Sequence, residues 1–153
     1  MDIRAYVARF RKVAHQQGLD KEQVGEYISY AMNLYQKGLP IIYDQEHFAH
    51  LVGYDYSFIL SLSNVSKLYY KQFYISKKNG GTRTIDEPYP SLKEIQTWIL
   101  DNILTPVSKQ FVSPVAKAFM PGKSLIDNAK FHRNKKYVVA LDIQDFFSSI
   151  HPC

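Results

Sequence analysis

The chain lacks the features that mark secreted and membrane proteins. It has one cysteine, Cys153, so an internal disulfide is excluded. No run of apolar residues is long enough to predict a membrane-spanning helix, and the charged first residues do not resemble a secretory signal. Neither an internal repeat nor a low-complexity tract is present. These absences lead us to expect a cytoplasmic protein.

The positive charge is concentrated in one part of the chain. Residues 67–136 contain 13 Lys or Arg and 5 Asp or Glu, whereas the other residues contain 6 and 9. A basic block of this kind is typical of proteins that bind a phosphate-rich partner. An ordinary solvated surface is the alternative.

The first 63 residues are predicted to form helices around a hydrophobic core, since 46% of the chain is apolar. Apolar side chains recur there at helical spacing in several segments, and capping aspartates or glycines bound them. The residues that signal the ends of these helices are Gly18, Asp20, Gly38, Pro40, Asp44, Gly53 and Asp55.

After residue 63 the pattern changes to that of a β-hairpin. Residues 68–75 are rich in aromatic side chains, and residues 82–85 are predicted to return as the second strand. Residues 76–81 contain the pairs Asn-Gly and Gly-Gly, which favour a tight turn because they accept a positive φ. The turn and the start of the second strand carry three cations, so the hairpin is predicted to have a basic tip.

Helices are predicted again after the hairpin. The first has an isoleucine-rich face, with Pro106 beyond its end. Ser124 and Asp127 match a capping box that opens another helix, which we expect to run to about His132. Residues 133–136 are then a predicted turn.

Residues 138–143 are apolar and β-branched, and they predict a buried strand that carries Asp142 near its end. Asp145 and the aromatic pair Phe146 and Phe147 follow it. A carboxylate at the end of a rigid strand is a common ligand of a divalent metal ion. The alternative is that Asp142 is a turn residue that closes the strand.

Three motifs occur in order along the chain. The first is Tyr-Ile-Ser-Lys-Lys-Asn-Gly-Gly-Thr-Arg-Thr-Ile at 74–85, followed by Pro88, Ser-Leu-Lys at 91–93 and Gln96. The second runs from Ser-Pro at 113–114 through Ala-Phe at 118–119 to Gly-Lys-Ser at 122–124, Asn-Ala at 128–129 and His132. The third is Leu-Asp-Ile-Gln-Asp-Phe-Phe-Ser-Ser-Ile at 141–150. Together they resemble the N-terminal part of retron-type bacterial reverse transcriptases.

The resemblance implies an α+β fold in which N-terminal helices precede a fingers β-hairpin with its helices and the first strand of a polymerase palm. The implied regions are an N-terminal helical region at 1–63, a fingers subdomain at 64–136 and the start of a palm subdomain at 137–153.

The resemblance also implies roles for individual residues. Asp142 matches the first catalytic Asp of the family, which is a ligand of two Mg²⁺ ions, and the carbonyl of Ile143 would be a further ligand. The residues implied to bind the incoming nucleotide are Lys77, Lys78, Arg83, Asp145, Phe146 and Phe147. Those implied to contact template or primer are Lys93, Lys123, Asn128, His132, Lys135 and Lys136.

The implied activity is RNA-directed DNA synthesis from dNTPs on a structured RNA, in anti-phage defence beside an effector protein. The remaining metal carboxylates and the thumb of the family have no counterpart in these 153 residues. We therefore expect a further palm and thumb polypeptide to complete the site, and this chain alone to be inactive. A group II intron maturase is an alternative of the same class, and a non-catalytic RNA-binding or scaffold fragment is an alternative of another class.

Overall fold

A computed structural model of the chain describes residues 2–78, 80–118, 120, 122–143 and 146–149, without the side chains of Phe147 and Ser148. The chain divides into two compact units, Met1–Phe111 and Val112–Cys153. Helices combined with a two-stranded antiparallel sheet confirm the α+β class. The boundaries at 63 and 136 stay predictions, because compactness alone does not define the fingers and palm. No helix among the described residues has the length and apolar character needed to cross a membrane.

The first unit begins with the helices α1 (Ile3–Gln16), α2 (Lys21–Gln36), α3 (Gln45–Val52) and α4 (Tyr56–Asn64). The predicted caps are confirmed at two of them, because the carboxylate of each cap accepts a backbone N–H of the first turn. Asp20 accepts from Gln23 at 2.8 Å in a capping box, and Asp44 accepts from His47 at 2.7 Å. Asp55 precedes α4 without a side-chain cap hydrogen bond.

Tyr43, between α2 and α3, is the centre of an aromatic cluster that joins the first three helices. Its ring centroid lies 5.5, 5.6, 5.6 and 5.8 Å from those of Tyr27, Phe10, His47 and Tyr30. Its hydroxyl accepts a hydrogen bond from the hydroxyl of Tyr6 at 3.0 Å. Burial, followed by this hydrogen bond, raises the pKa of Tyr43, so the ring remains un-ionised at neutral pH.

The predicted hairpin is confirmed as strands β1 (Tyr70–Ser76) and β2 (Thr82–Pro88), which pair antiparallel. Its strand limits differ from the prediction. Leu68 lies in a 3₁₀ turn, Ser66–Tyr69, and β2 runs three residues past Ile85. The longer β2 is stabilised by cross-strand pairs that a single-strand pattern does not show, among them Lys71 opposite Glu87.

The base of the hairpin is attached to neighbouring helices of the first unit. The hydroxyls of Tyr69 and Ser61 are 2.5 Å apart, which links the 3₁₀ turn to α4. Gln96, in the helix α5 (Pro90–Ile99), donates a hydrogen bond to the hydroxyl of Tyr70 at 2.9 Å. The start of β1 is therefore held on two sides, whereas the tip projects into solvent.

The prediction that Pro106 lies beyond the helix end is wrong. After α5 the chain continues through a π-helical segment, Leu100–Leu104, into α6 (Thr105–Phe111). Pro106 is the second residue of α6 and directly follows the π-helical segment, where a local departure from α-helical hydrogen bonding accommodates a residue without a backbone N–H. Trp98 packs α5 against α3 through an edge contact with Phe48, at 5.7 Å between centroids.

The second unit contains the short helices α7 (Leu125–Lys130) and α8 (Phe146–Ser149). The predicted capping box is confirmed, because the hydroxyl of Ser124 accepts the N–H of Asp127 and the carboxylate of Asp127 accepts the N–H of Ser124. The helix is shorter than predicted and gives way to a turn over residues 131–134. Asn134 has a φ of 58°, a left-handed conformation that ends the turn.

The predicted strand at 138–143 is wrong for the described residues, where the only sheet is the hairpin. The apolar side chains of this segment are exposed, Val139 by 77%, Leu141 by 92% and Ile143 by 67%. A strand needs a neighbour to pair its backbone groups and cover its side chains. The sequence pattern indicates that these residues favour a strand, but it does not show whether a neighbouring strand is present.

Truncation of Tyr43 should unfold the first unit more readily than truncation of an exposed tyrosine. We expect Tyr43→Ala to lower the free energy of unfolding by about 3 kcal/mol, because it removes a large side chain from the centre of the cluster. Tyr35→Ala, at a residue that is 40% exposed, is the matched control and should cost about half as much or less. Urea denaturation followed by circular dichroism measures both, and equal losses would contradict the central role of Tyr43.

Candidate functional site

The hairpin tip places three of the predicted nucleotide-binding cations close together. The backbone N–H of Lys77 donates to the carbonyl of Gly81 at 3.0 Å, which continues the ladder one residue beyond the Ser76–Thr82 pair. Alternation along the strands then puts Lys77 on the same face as Arg83, which is paired with Ile75. Gly80 and Gly81 both have a φ of 84°, so the turn needs glycine at these positions.

The cations of the tip are available to a ligand. The side chains of Lys77, Lys78 and Arg83 are exposed. None of them forms an ion pair within the part of the chain that the structure describes. Lys93, in the first turn of α5, is also exposed, beside the base of the hairpin rather than its tip. The hairpin can therefore present a cluster of cations to an anionic ligand such as a triphosphate.

In the second unit, Lys123 and Asn128 line the same cavity of about 420 Å³ around the start of α7. Lys117 lines it as well, although it was not among the residues predicted from the sequence. Its ammonium lies 4.9 Å from the centre of the Phe131 ring. Its position within the second of the three motifs, which spans residues 113–132, was the sequence signal that could have identified it. The described residues that line this cavity include two lysines and an amide but no carboxylate, a combination that suits a phosphate group.

Three further predicted nucleic-acid contacts follow α7. His132 lies in the turn that ends the helix, and Lys135 and Lys136 precede the exposed apolar segment. All three side chains are exposed, and the ammonium of Lys136 lies 5.6 Å from the centre of the Tyr137 ring. They extend the basic surface of the second unit along the chain from the cavity.

Hydrogen bonds at the start of α7 stabilise the ionised carboxylate of Asp127. The carboxylate of Asp127 accepts from the Ser124 hydroxyl at 2.8 Å and from the Lys130 ammonium at 3.2 Å. These bonds, with the backbone N–H of Ser124, lower the pKa of Asp127 to about 2. The capping box is therefore fully formed at neutral pH, which keeps Asn128 on a defined turn of helix.

Asp142 and Ile143 offer the oxygen ligands that Mg²⁺ prefers, a carboxylate and a backbone carbonyl. Both residues are exposed at the end of the apolar segment. The described residues contain no group of three or more His, Cys, Asp or Glu that could hold a metal ion. The oxygen atoms of Asp142 and Ile143 thus fit magnesium, but the described residues alone do not supply enough ligands for a complete site.

The remaining predicted residues are only partly described. Asp145 and the side chain of Phe147 lie outside the described residues, and Phe146 is the first residue of α8, with 46% of its surface exposed. Cations of the hairpin belong to the first unit, and Asp142 and the α7 cavity belong to the second. The structure thus brings together two local groups of predicted residues, one in each unit.

Comparison with known proteins finds relatives of this chain. No model of a known protein family matches the chain. Three curated relatives are reverse transcriptases, and all three belong to retrons. The chain is 38% identical over 82 residues to the retron Mx162 enzyme of Myxococcus xanthus, and 40% identical over 82 residues to the retron Ec73 enzyme of Escherichia coli. It is 28% identical over 127 residues to the retron Ec86 enzyme of Escherichia coli.

The matches cover 54%, 52% and 82% of this chain. They cover 16%, 25% and 38% of the three relatives, so the chain spans less than two fifths of each. The predicted resemblance to retron-type reverse transcriptases is confirmed, and it extends over half to four fifths of the chain.

The capping box of α7 should be lost in acid. Because the pKa of Asp127 is lowered from 3.8 to about 2, its stabilisation of the helix is present above about pH 4 and disappears as the pH falls through about 2. Amide chemical shifts of Leu125–Lys130 should follow this titration. Asp127→Asn is the control, and a wild-type titration that this variant reproduces would contradict the assignment.

Proposed function

We propose that the chain forms the fingers and the beginning of the palm of a retron-like RNA-directed DNA polymerase. The observation that supports this most strongly is the similarity to several retron reverse transcriptases, together with the three ordered motifs. The exposed basic hairpin agrees with it, because a polymerase must hold a triphosphate beside its template. The proposed reaction joins dNTPs into DNA on a structured RNA that serves as template and primer.

In this proposal the hairpin binds the triphosphate of the incoming nucleotide. The guanidinium of Arg83 can donate two parallel hydrogen bonds to phosphate oxygens, and Lys77 or Lys78 adds a compact positive charge. Their common position at the tip lets them approach one phosphate chain together. Asp145, Phe146 and Phe147 are proposed to lie near the nucleotide sugar and phosphates.

Asp142 and the carbonyl of Ile143 are proposed as magnesium ligands of the complete enzyme. When bound, two Mg²⁺ ions would stabilise the charge that develops at the transferred phosphate. This chain supplies one carboxylate and one carbonyl to that site, and a further palm and thumb polypeptide supplies the others. The role of the apolar segment is to position Asp142 once that polypeptide pairs with it.

Basic side chains of both units, together with one amide, are proposed to hold the nucleic acid. They are Lys93, Lys123, Asn128, His132, Lys135 and Lys136. The α7 cavity would take a backbone phosphate, since its described lining combines lysines with an amide and contains no carboxylate. We further propose that the complete protein acts in the cytoplasm in anti-phage defence, beside an effector protein.

A non-catalytic RNA-binding or scaffold protein is the second candidate. It is favoured by one observation, which is that the described residues do not by themselves assemble a metal site. The two candidates differ in what they require of Asp142, because only the polymerase needs its carboxylate.

Arg83→Ala should impair nucleotide binding more than RNA binding. In the complete polymerase we expect KM for dNTPs to rise roughly tenfold or more, because one charge-assisted phosphate contact contributes about 1.5–3 kcal/mol. Lys71→Ala, at an exposed cation on the same strand face nearer the base, is the matched control. Steady-state primer extension measures KM for dNTPs in both variants. An equal effect of the two variants would contradict the proposed role of Arg83 in binding the triphosphate.

Asp142→Ala should abolish DNA synthesis without loss of RNA binding. The 153-residue chain alone should not extend a primer, and addition of the palm and thumb polypeptide, fused or in trans, should give magnesium-dependent synthesis. Asp142→Ala in the completed enzyme should reduce this synthesis to background, whereas Asp101→Ala, in the first unit, should not. Magnesium-dependent synthesis by the chain alone would contradict the proposed incomplete site, and full activity of Asp142→Ala would favour a protein without this catalytic residue.

A further inference from the structure

The helix α1 is strongly basic, although the segment around it is not. It carries three arginines and one lysine and no acidic residue: Arg4, Arg9, Arg11 and Lys12. Residues 1–66 as a whole contain 6 Lys or Arg and 7 Asp or Glu, so a charge count along the chain conceals this helix. The four side chains are exposed, and none forms an ion pair within the described part of the chain.

Part of this charge forms a stripe along one side of α1. Arg4, Ala8, Arg11 and His15 are separated by four, three and four residues, so they lie along one face of the helix. The stripe extends about 16 Å along the helix axis. Ala8 is small and exposed, which leaves the space between the two arginines open.

The stripe borders a groove of about 460 Å³ between α1 and α2. Arg11 and His15 line one wall, Lys21 lies at one end, and Gly25 and Ser29 form the wall on α2. Its floor consists of the half-buried apolar residues Leu19, Val24 and Ile28. Among the described residues, no carboxylate and no Phe, Tyr or Trp ring lines this groove.

Gly25 is the least expected residue of the groove. It lies within α2, where glycine is a poor helix former and where the backbone does not need it, since its φ is not positive. A Cβ atom at this position would meet no atom within 4 Å. The folded chain itself therefore gives no reason for glycine, and its effect is to leave the wall of the groove open to another molecule.

We propose that the stripe and the groove, defined by Arg4, Arg11, His15, Lys21, Gly25 and Ser29, bind the sugar–phosphate backbone of RNA. The proposal rests on the proposed function for the choice of RNA, and it assigns binding to a surface outside the basic block. Guanidinium groups and a hydroxyl donate to phosphate oxygens, and the apolar floor can contact ribose. An acidic peptide fits less well, because the described residues that line the groove include no Trp or Tyr, the aromatic residues that dominate protein interfaces.

The test measures binding of a fluorescein-labelled single-stranded RNA of 20 nucleotides to the 153-residue chain by fluorescence anisotropy. We expect Arg11→Gln and Gly25→Leu each to weaken binding roughly tenfold, the first by loss of a phosphate contact and the second by filling the groove. Arg11→Gln should also reduce the slope of log K against log salt by about 0.7. Leucine is a better helix former than glycine, so the second variant keeps its fold.

Matched controls lie on α2 and at its end, outside the groove. Lys37→Gln removes an exposed cation, and Asn33→Leu adds an exposed leucine to α2. Both should change the affinity less than about twofold. If Arg11→Gln has no larger effect than Lys37→Gln, or Gly25→Leu no larger effect than Asn33→Leu, the proposal is wrong.

Two further measurements distinguish RNA from an acidic peptide and the α1 site from the α7 surface. A polyglutamate peptide of 20 residues that binds as tightly as the RNA, and depends equally on Arg11 and Gly25, would identify an acidic peptide as the ligand and overturn the proposal. Lys123→Gln, measured in the same assay, reports on the α7 surface of the proposed function. If only Lys123→Gln loses affinity, the proposed α1 site is wrong and the proposed function stands. If only the α1 variants lose affinity, the α1 site is supported and the proposed role of the α7 surface in RNA binding is wrong.

Discussion

Backbone pairing of residues 138–143 is the constraint on which the proposed enzyme depends. This segment carries Asp142, and its position can be rigid only if the segment becomes a strand with neighbours. In the described part of the chain it has no such neighbour, and Leu141 is 92% exposed. A run of exposed apolar side chains is unfavourable in water, so the same segment that would position the carboxylate also creates a demand for a further polypeptide.

The first unit has a different organisation, because its parts are held by contacts within the unit. The Tyr43 cluster joins α1, α2 and α3. A hydrogen bond between the hydroxyls of Tyr69 and Ser61 and one from Gln96 to Tyr70 hold the base of the hairpin. A rigid base with an exposed cationic tip is a suitable arrangement for an anion clamp. The proposed nucleotide contacts therefore lie on a hairpin whose base is held by neighbouring helices. The proposed metal ligand, Asp142, lies on a segment that has no such contacts in the described part of the chain.

Local signals in the sequence predicted local structure well. The caps at Asp20 and Asp44 and the capping box at Ser124 depend on residues within one turn of helix, and all three are confirmed. The tight turn at Gly80 and Gly81 follows from the backbone conformations that glycine permits. Each of these features is decided by residues within a few positions of one another.

Features that depend on distant residues were not predictable in the same way. The role of Tyr43 requires rings from three helices, and the continuation of the helix past Pro106 requires a π-helical segment that no periodicity indicates. The pattern at 138–143 indicates a strand but cannot supply its partner. The α1 groove was missed because its cations are averaged against the acidic residues of the following helices. The candidate site was predictable as a set of residues, and only its two local groups are assembled in the structure.

Hydrogen exchange at residues 138–143 tests the central claim most directly. The amides of this segment would be followed by NMR in the 153-residue chain and in the same chain joined to the palm and thumb polypeptide. Our account predicts fast exchange in the chain alone and exchange slower by roughly 100-fold or more in the completed protein, because a paired strand protects its amides. Equally fast exchange in both, in a completed protein that synthesises DNA, would contradict the claim that strand pairing positions Asp142.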